Sequence, residues 1–376
     1  MVTVKKSILV QDILGMLNRL CPPQLAEDWD NVGLQVGNPV QAVEKVMVAL
    51  DPTFEAVQAA CEAGCQLLVT HHPLIFRPLK QVVTSSETGR IVETALKAGI
   101  SVIAAHTNLD RAAGGLNAWL AQRLGLVGGG PLEQPRGQLL KLVVYVPSSH
   151  AGQVAQALFG AGAGVAGRYD CCSFRAPGQG TFRPGAGAKP FIGEVGRLET
   201  VEEVRLELVV TREASSRVVQ RLLKVHPYEE VAYDLLPLEN ARSDIGLGWL
   251  GELPEDVPFE QMVTRVKQAL AAPLVRVAGP RSGTVRRVAV CGGSGMSLFK
   301  EALRRGADLL VTGDVKYHEA REAEIAGMAV IDAGHFHTEK IVVEYLAAWL
   351  RDAAGGEHLP LQVLEMTGEH DPFDYV

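Results

Sequence analysis

Hydrophobic and polar positions in the first third of the chain switch between two periods. Short apolar runs at 46–50, 67–70 and 102–105 read as buried strands. Between and after them come stretches of helical spacing, with Phe54, Val57, Ala60 and Cys61 on one stripe of 53–64 and further helical runs over 91–96 and 116–126. Strands separated by helices of this length imply parallel βαβ units. The last third repeats the pattern, with strands at 288–290, 309–312 and 329–331, helices at 296–303 and 315–326, and one long helix over 336–351.

The two outer thirds read as copies of each other. AGCQLLVT (63–70) matches RGADLLVT (305–312), and AGISVIAAH (98–106) matches AGMAVIDAGH (326–335). The second match sets His106-x₃-Asp110 against His335-x₃-Glu339. Val46 and Val48 match Val288 and Val290 at the same offset as the first, and three matches in the same order predict an internal duplication. The middle differs. It reads as a strand over 137–147, a helix over 148–160 and a short strand over 169–174. A Gly/Pro-rich loop, APGQGTFRPGAGAKP (176–190), a strand over 204–211, a helix over 213–225 and a strand over 230–236 follow. The order βαββαβ predicts a ferredoxin-like sandwich. The expected fold is therefore α/β, a duplicated parallel or mixed βαβ core made of 1–131 and 244–376, with an inserted α+β domain at 132–243.

Composition narrows the class. With 376 residues, 47% of them hydrophobic and 21% charged, the chain has material for two or three packed domains rather than a disordered segment. A net charge of −7 argues against a protein built to coat nucleic acid or an anionic membrane. No run of ~20 apolar residues spans a bilayer. The opening MVTVKKSILVQDILGML has an apolar run too short and too soon charged for a signal peptide. Six cysteines (Cys21, Cys61, Cys65, Cys171, Cys172 and Cys291) form no CxxC. They read as reduced packing residues of a soluble cytoplasmic protein, with Cys61 and Cys65 on one core-facing side of a helix.

The chemistry is concentrated in histidines. Six of ten fall in HHPLIF (71–76), HTNLD (106–110) and KYHEA…GHFHTE (316–339). HH, HTNLD and HFHTE each follow an apolar strand, as does the GD of LLVTGD. In parallel sheets ligands bind at the carboxyl ends of strands, so these side chains should meet on one rim. His71 and His72 are neighbours that diverge, so each can serve its own ion. His335-x₃-Glu339 puts imidazole and carboxylate on one helix face, and Asp110 adds an oxygen at the matching place in the first copy. Three His and two carboxylates exceed one tetrahedral ion and suit two. Mixed N/O ligation favours Zn²⁺, Mn²⁺ or Fe²⁺. His106, His318 and His337 are the candidate catalytic acids and bases. Asp314 is a candidate partner for a ligand imidazole, and Asp30 and Asn31 for lining the pocket. Arg77, Lys80, Arg111, Lys316 and Lys340 are candidate phosphate contacts, and the CGGSG turn (291–295) a candidate anion cradle.

The blocks EDWDNVGLQVG (27–37), THHPLIF (70–76), AHTNLD (105–110), TGDVKYHEA (312–320), DAGHFHTE (332–339) and DPFDYV (371–376) resemble the signature of the GTP cyclohydrolase 1 type 2 homologues, the Nif-three-like dinuclear metal family. HPYEEVAYD (226–234) and the βαββαβ insert resemble its long-form members, whose insert is similar to the PII/CutA regulatory fold. The resemblance implies two metal ions held by His71, His72, Asp110, His335 and Glu339, with Glu339 bridging. It also implies a toroidal homohexamer and attack of water on C8 of the guanine ring of GTP, with ring opening and loss of formate. Nothing in the residue spacing itself shows that substrate. Two functions therefore stand side by side: a dinuclear metal-dependent hydrolase acting on a nucleotide, and a metal-bearing scaffold or regulator that binds an effector or partner through the insert.

Overall fold

The apolar runs at the heart of the two outer thirds become strands buried along their whole length: Leu67–Thr70 (β3), Ser101–Ala104 (β4), Leu309–Gly313 (β13) and Ala329–Asp332 (β14). Continuous burial without alternation is the mark of strands covered on both faces. These assignments come from a computed structural model that describes residues 7–374. Part of the opening segment read above for a signal peptide, and the last two residues of DPFDYV, lie outside the described residues.

The described chain forms two compact units, 7–134 with 243–374, and 135–242. The first carries two mixed sheets. One joins Gly33–Val36 (β1), Lys45–Ala49 (β2), β3, β4 and Gln362–Glu365 (β15) in the order β1-β4-β3-β2-β15. Every pairing in it is parallel except that of β1 with β4. The other joins Val127–Pro131 (β5), Trp249–Pro258 (β10), Arg276–Ala278 (β11), Thr284–Ser294 (β12), β13 and β14 in the order β11-β14-β13-β12-β10-β5. Its parallel centre is β12-β13-β14, with antiparallel β11 outside β14 as β1 lies outside β4. One face of each sheet contributes to a shared core, with Val46, Val48, Leu67, Val69 and Ile103 from one and Val288, Val290, Leu309, Val311 and Ile331 from the other. The helix Ile341–Gly356 adds Val342, Leu346 and Leu350 to it. The register aligns the carboxyl ends, Thr70 opposite Ala104 and Thr312 opposite Asp332, so whatever follows these strands emerges at one level.

The second unit contains Leu139–Pro147 (β6), Phe174–Phe182 (β7), Glu199–Thr211 (β8) and Tyr233–Leu238 (β9) in the order β7-β8-β6-β9, all antiparallel. Helices Ala151–Gly160 and Arg212–Val225 bury Val154, Leu158, Val218 and Leu222 with Leu142, Val144, Leu206 and Leu208 of the sheet.

Three local expectations change. Residues 174–182, expected to be largely loop, are a strand despite Pro177, Gly178 and Gly180. β7 is an edge strand, where a proline's missing N–H interrupts no inner ladder. The long helix over 336–351 is two, His335–Glu339 and Ile341–Gly356, joined at Lys340, whose φ −52° and ψ −27° keep a right-handed turn. Cys61 and Cys65 do not share a helix face. The helix Phe54–Glu62 ends before Cys65, Gly64 turns with φ +67°, and Cys61 is exposed while Cys65 is buried.

All six cysteines are free. Burial pushes the Cys21 thiol up to about 12 and raises that of Cys291 as well, with Asp110 adding repulsion in both. Because the thiolate is the reactive form, maleimide should label Cys61 and Cys171 in the native protein and leave Cys21, Cys65 and Cys291 unmodified until denaturant is added. Peptide mapping of the labelled sites checks this outcome.

Candidate metal centre

His71 and His72 continue β3 by one step, their amides donating to Ala49 O (3.3 Å) and Leu50 O (3.0 Å). His106 immediately precedes, and Asp110 stands on, the short helix Thr107–Arg111 after β4, and His335 and Glu339 stand on the short helix after β14. Strand ends at one level thus bring together residues up to 268 positions apart, since 339 less 71 is 268.

Each of the four imidazoles gives its Nδ1 to an acceptor outside the cluster. His71 Nδ1 meets the Ala105 carbonyl at 2.8 Å, and a carbonyl can only accept. His72 Nδ1 meets Asp51 Oδ1 at 2.7 Å, His106 Nδ1 meets Asp30 Oδ1 at 2.8 Å, and His335 Nδ1 meets Asp314 Oδ2 at 2.7 Å. These partners fix the tautomer and leave Nε2 to face inward, the usual support for a ligand imidazole. The inward atoms converge on Glu339, with His335 Nε2 at 2.9 Å and His72 Nε2 at 3.0 Å from its Oε2, and His71 Nε2 at 3.9 Å from its Oε1. Asp110 Oδ1 lies 3.6 Å from His71 Nε2.

Two groups of donors result. Atoms of His71, His72 and His106 lie within 4.8 Å of one another, and so do atoms of His72, His335 and Glu339. His71 Nε2 and Asp110 Oδ1 are buried with no hydrogen-bond partner. Buried polar atoms are seldom left so, because each lost partner costs about 1–3 kcal/mol. A cation between them would satisfy both, and the mixed imidazole and carboxylate set suits a divalent ion. The donor set fits a metal.

The charges agree. Burial alone would disfavour ionised Glu339, yet the close imidazoles of His335 (2.9 Å) and His72 (3.0 Å), with His71 3.9 Å away, hold its carboxyl well below the usual range. Burial also opposes protonation of His72, but bonds to Asp51 and Glu339 raise it to about 10. His335 is raised to about 9, first by its bond to Glu339. Burial lifts Asp110 to about 7, opposed by His71 and reinforced by the charge of Glu339. In the metal-free protein, protons thus occupy the inner positions that cations would take.

Glycines make the space. A Cβ on Gly293 (φ +58°) would lie 2.3 Å from Glu339 Oε1, and one on Gly313 would lie 2.7 Å from the His335 amide nitrogen. The CGGSG turn is not free to cradle an anion. The amides of Gly292, Gly293 and Gly295 donate to Asn117 Oδ1 (3.0 Å), Thr338 Oγ1 (3.0 Å) and Thr312 Oγ1 (2.8 Å). Asp314, just after Gly313, adopts φ +56°, a left-handed conformation that Asp tolerates better than most residues.

A cavity of about 930 Å³ opens on the centre, lined by His72, His335, Asp314, Phe336, Arg276 and Phe373 among others. Arg276 is tied to Asp332, whose carboxylate also accepts from the amides of Val315 and Gly334. On the other side of His106, Trp29 and Phe76 form an exposed aromatic corner, their ring centres 6.1 and 6.5 Å from the imidazole.

Of the three candidate catalytic histidines, the structure brings only His106 to the donor groups. His318 is exposed on the first turn of the helix Tyr317–Ala326, its ring against Tyr317. His337 is buried, its Nε2 3.6 Å from Asp371 Oδ2. Arg111 is engaged by Glu27 (3.0 Å) and Glu133 (3.2 Å) rather than offered to a phosphate. Asp51 and Glu369 were not picked out from the sequence. Asp51 follows β2 and is a strand-end carboxylate like the others. Glu369 Oε1 accepts from the amides of Leu50 (2.9 Å) and Asp51 (3.1 Å), and so holds the residue that orients His72.

Two outcomes follow from this geometry. Loading the apoprotein with Zn²⁺ or Mn²⁺ must expel protons from His72 and His335, so affinity falls as pH drops below their values of about 9–10. A weakly buffered titration followed with a pH indicator should show about two protons released per filled centre. Gly293→Ala should lower bound metal, read by elemental analysis, while circular dichroism remains native.

The sequence and fold were compared with known proteins. A family model described as Duf34/NIF3 (NGG1p interacting factor 3) matches residues 8–372. A Bacillus subtilis protein named GTP cyclohydrolase 1 type 2 homolog is 40% identical, over 99% of this chain and 100% of its own. A protein of the same name from Halalkalibacterium halodurans is also 40% identical, over 97% and 98%. The crystal structure of a Bacillus cereus protein related to NIF3 superposes with a TM-score of 0.86 at 38% identity, covering 99% of this chain and 100% of that one. With a family match across nearly the whole length and relatives of this similarity, the chain belongs to the Duf34/NIF3 family.

Proposed function

We propose that the protein is a dinuclear metal-dependent hydrolase whose substrate is a nucleotide such as GTP, opened at its guanine ring in the manner of a cyclohydrolase. The observation that carries the reading is the convergence of the His71, His72 and His335 Nε2 atoms on the buried Glu339 carboxylate, with His71 Nε2 and Asp110 Oδ1 left unpartnered beside it and His106 grouped with His71 and His72. His71, Asp110 and Glu339 would hold one divalent ion, and His72, His335 and Glu339 the other. Zn²⁺, Mn²⁺ and Fe²⁺ all suit this donor set. When bound, the pair would supply Lewis acidity and bring the pKa of a shared water down towards neutrality.

The chain's own residues have separate tasks. Trp29 and Phe76 offer an edge-to-face corner, ring centres 5.7 Å apart, against which a planar base can stack. Both rings are exposed beside His106 and so can be reached by a base entering the site. His106 is held by Asp30, whose own carboxyl is lowered to about 2 by bonds from His106 and Thr107 against the effect of burial. That bond keeps a proton at His106 Nδ1 and leaves Nε2 to accept or return one. The name carried by the Bacillus subtilis and Halalkalibacterium halodurans relatives supports guanine nucleotide as the class to try first. The middle unit, in strand order 2-3-1-4, we read as a ferredoxin-like insert, and the assembly as a homohexamer by resemblance to the family.

The test is formate release from GTP by protein loaded with each metal in turn. Activity should fall by at least 10²-fold in Glu339→Gln, together with metal content. His106→Gln separates two roles for that residue: retained metal with a 10²–10⁴-fold loss of rate marks proton transfer, and lost metal marks ligation. A fully loaded protein that turns over no nucleotide removes the hydrolase reading in favour of a metal-bearing scaffold.

A further inference from the structure

The middle unit holds a cavity of its own, about 700 Å³ in volume and sharing no residue with the metal centre. We propose that it is a binding site for a small organic ammonium ion. The inference does not rest on the hydrolase reading.

Its base is a carboxylate. Glu203, on β8, is only 8% exposed and lines the cavity. Its Oε1 accepts from the Tyr228 hydroxyl at 2.8 Å. Its Oε2 lies over β7 at Gly180, where a Cβ would come within 2.1 Å of it, so the strand is open at the one place the carboxylate needs. Among the described residues Oε2 accepts no hydrogen bond. With Oε1 held by Tyr228 and Oε2 without a protein donor, the carboxylate has an oxygen free to pair with a cation in the cavity.

The walls suit such a cation. Phe182 and Phe191 flank Tyr228 with ring centres 5.8 and 6.5 Å from it, inclined at 59° and 53°. Rings inclined in this way form a concave surface of π-faces. A tetrahedral ammonium can meet more than one ring of such a set at once. Behind Tyr228, His226 is fixed as a neutral ring, its Nδ1 accepting from the Tyr228 amide (3.1 Å) and its Nε2 donating to Tyr145 O (3.0 Å). His226 therefore puts no positive charge behind Tyr228. Of the two arginines at the lining, Arg205 is paired with Glu207 at 3.0 Å and Arg183 is exposed, while Glu229 and Glu230 add to the negative side. An anion here would have to face Glu203. The HPYEE run thus supplies the neutral histidine, the anchoring tyrosine and two further carboxylates.

The test is calorimetric titration of the full-length protein with choline and, separately, with 3,3-dimethylbutan-1-ol, its uncharged isostere. Choline should bind saturably and at least tenfold tighter than the isostere. Glu203→Gln and Phe191→Ala should each weaken choline about tenfold, with native circular dichroism. Phe191 is 52% exposed, so its truncation leaves the fold intact and keeps the test open if the Glu203 variant misfolds. Equal affinity for the isostere, binding of inorganic phosphate in place of choline, or no saturable binding of either choline or tetramethylammonium would overturn the proposal.

Discussion

An imidazole whose Nδ1–H is committed to a hydrogen bond has one nitrogen left to offer, and this protein turns three such nitrogens towards a carboxylate it has buried, with His106 beside two of them. The outward bonds to Ala105 O, Asp51, Asp30 and Asp314 cost nothing in reach, because each partner already sits on the loop beside its histidine's strand. They decide the tautomer, and with it the direction of every lone pair. Removing any one would leave a ring free to rotate, and a donor that rotates is a poor ligand and an unreliable base.

The two mixed sheets exist, functionally, to hold those directions still. Parallel strands buried on both faces cannot slide without exposing their apolar side chains, so the level of their carboxyl ends is set by the core itself. Residues that follow the strands inherit that precision. The glycine-rich turn after β12 serves the same end by a different route. It contributes no donor and takes up no ligand; its missing side chains let Glu339 come close, and its amides brace Thr312 and Thr338.

Much of this was legible in the sequence, and the reason is physical. Uninterrupted apolar runs of four or five residues can only be buried parallel strands when helices separate them, and polar residues at once after such runs must fall on the rim. His71, His72, Asp110, His335 and Glu339 were placed on the rim by that reasoning, and the structure sets His72, His335 and Glu339 within 4.8 Å of one another. What the sequence did not show depends on pairing between distant segments. The strand at 174–182 carries Pro and Gly and is ordered by β8 beside it, not by its own composition. β1, β10, β11 and β15 were not anticipated, being short or partly exposed, and the helix 336–351 hid a joint at Lys340. Glu369 was invisible because its role is to cap two amides more than 300 residues earlier, an interaction with no local trace.

That cap has a wider meaning. Glu369 lies just before the stretch 371–374 that walls the cavity, and just after β15, which pairs with β2. Residues 362–369 are therefore stitched to β2 and the loop after it, through a strand and then a carboxylate, immediately upstream of the aspartate that steers His72. During synthesis the sheet made first must wait for residues more than 300 positions downstream before its ligand loop can be locked. A ribosome-bound or prematurely terminated chain would present the same histidines with their aim not yet set.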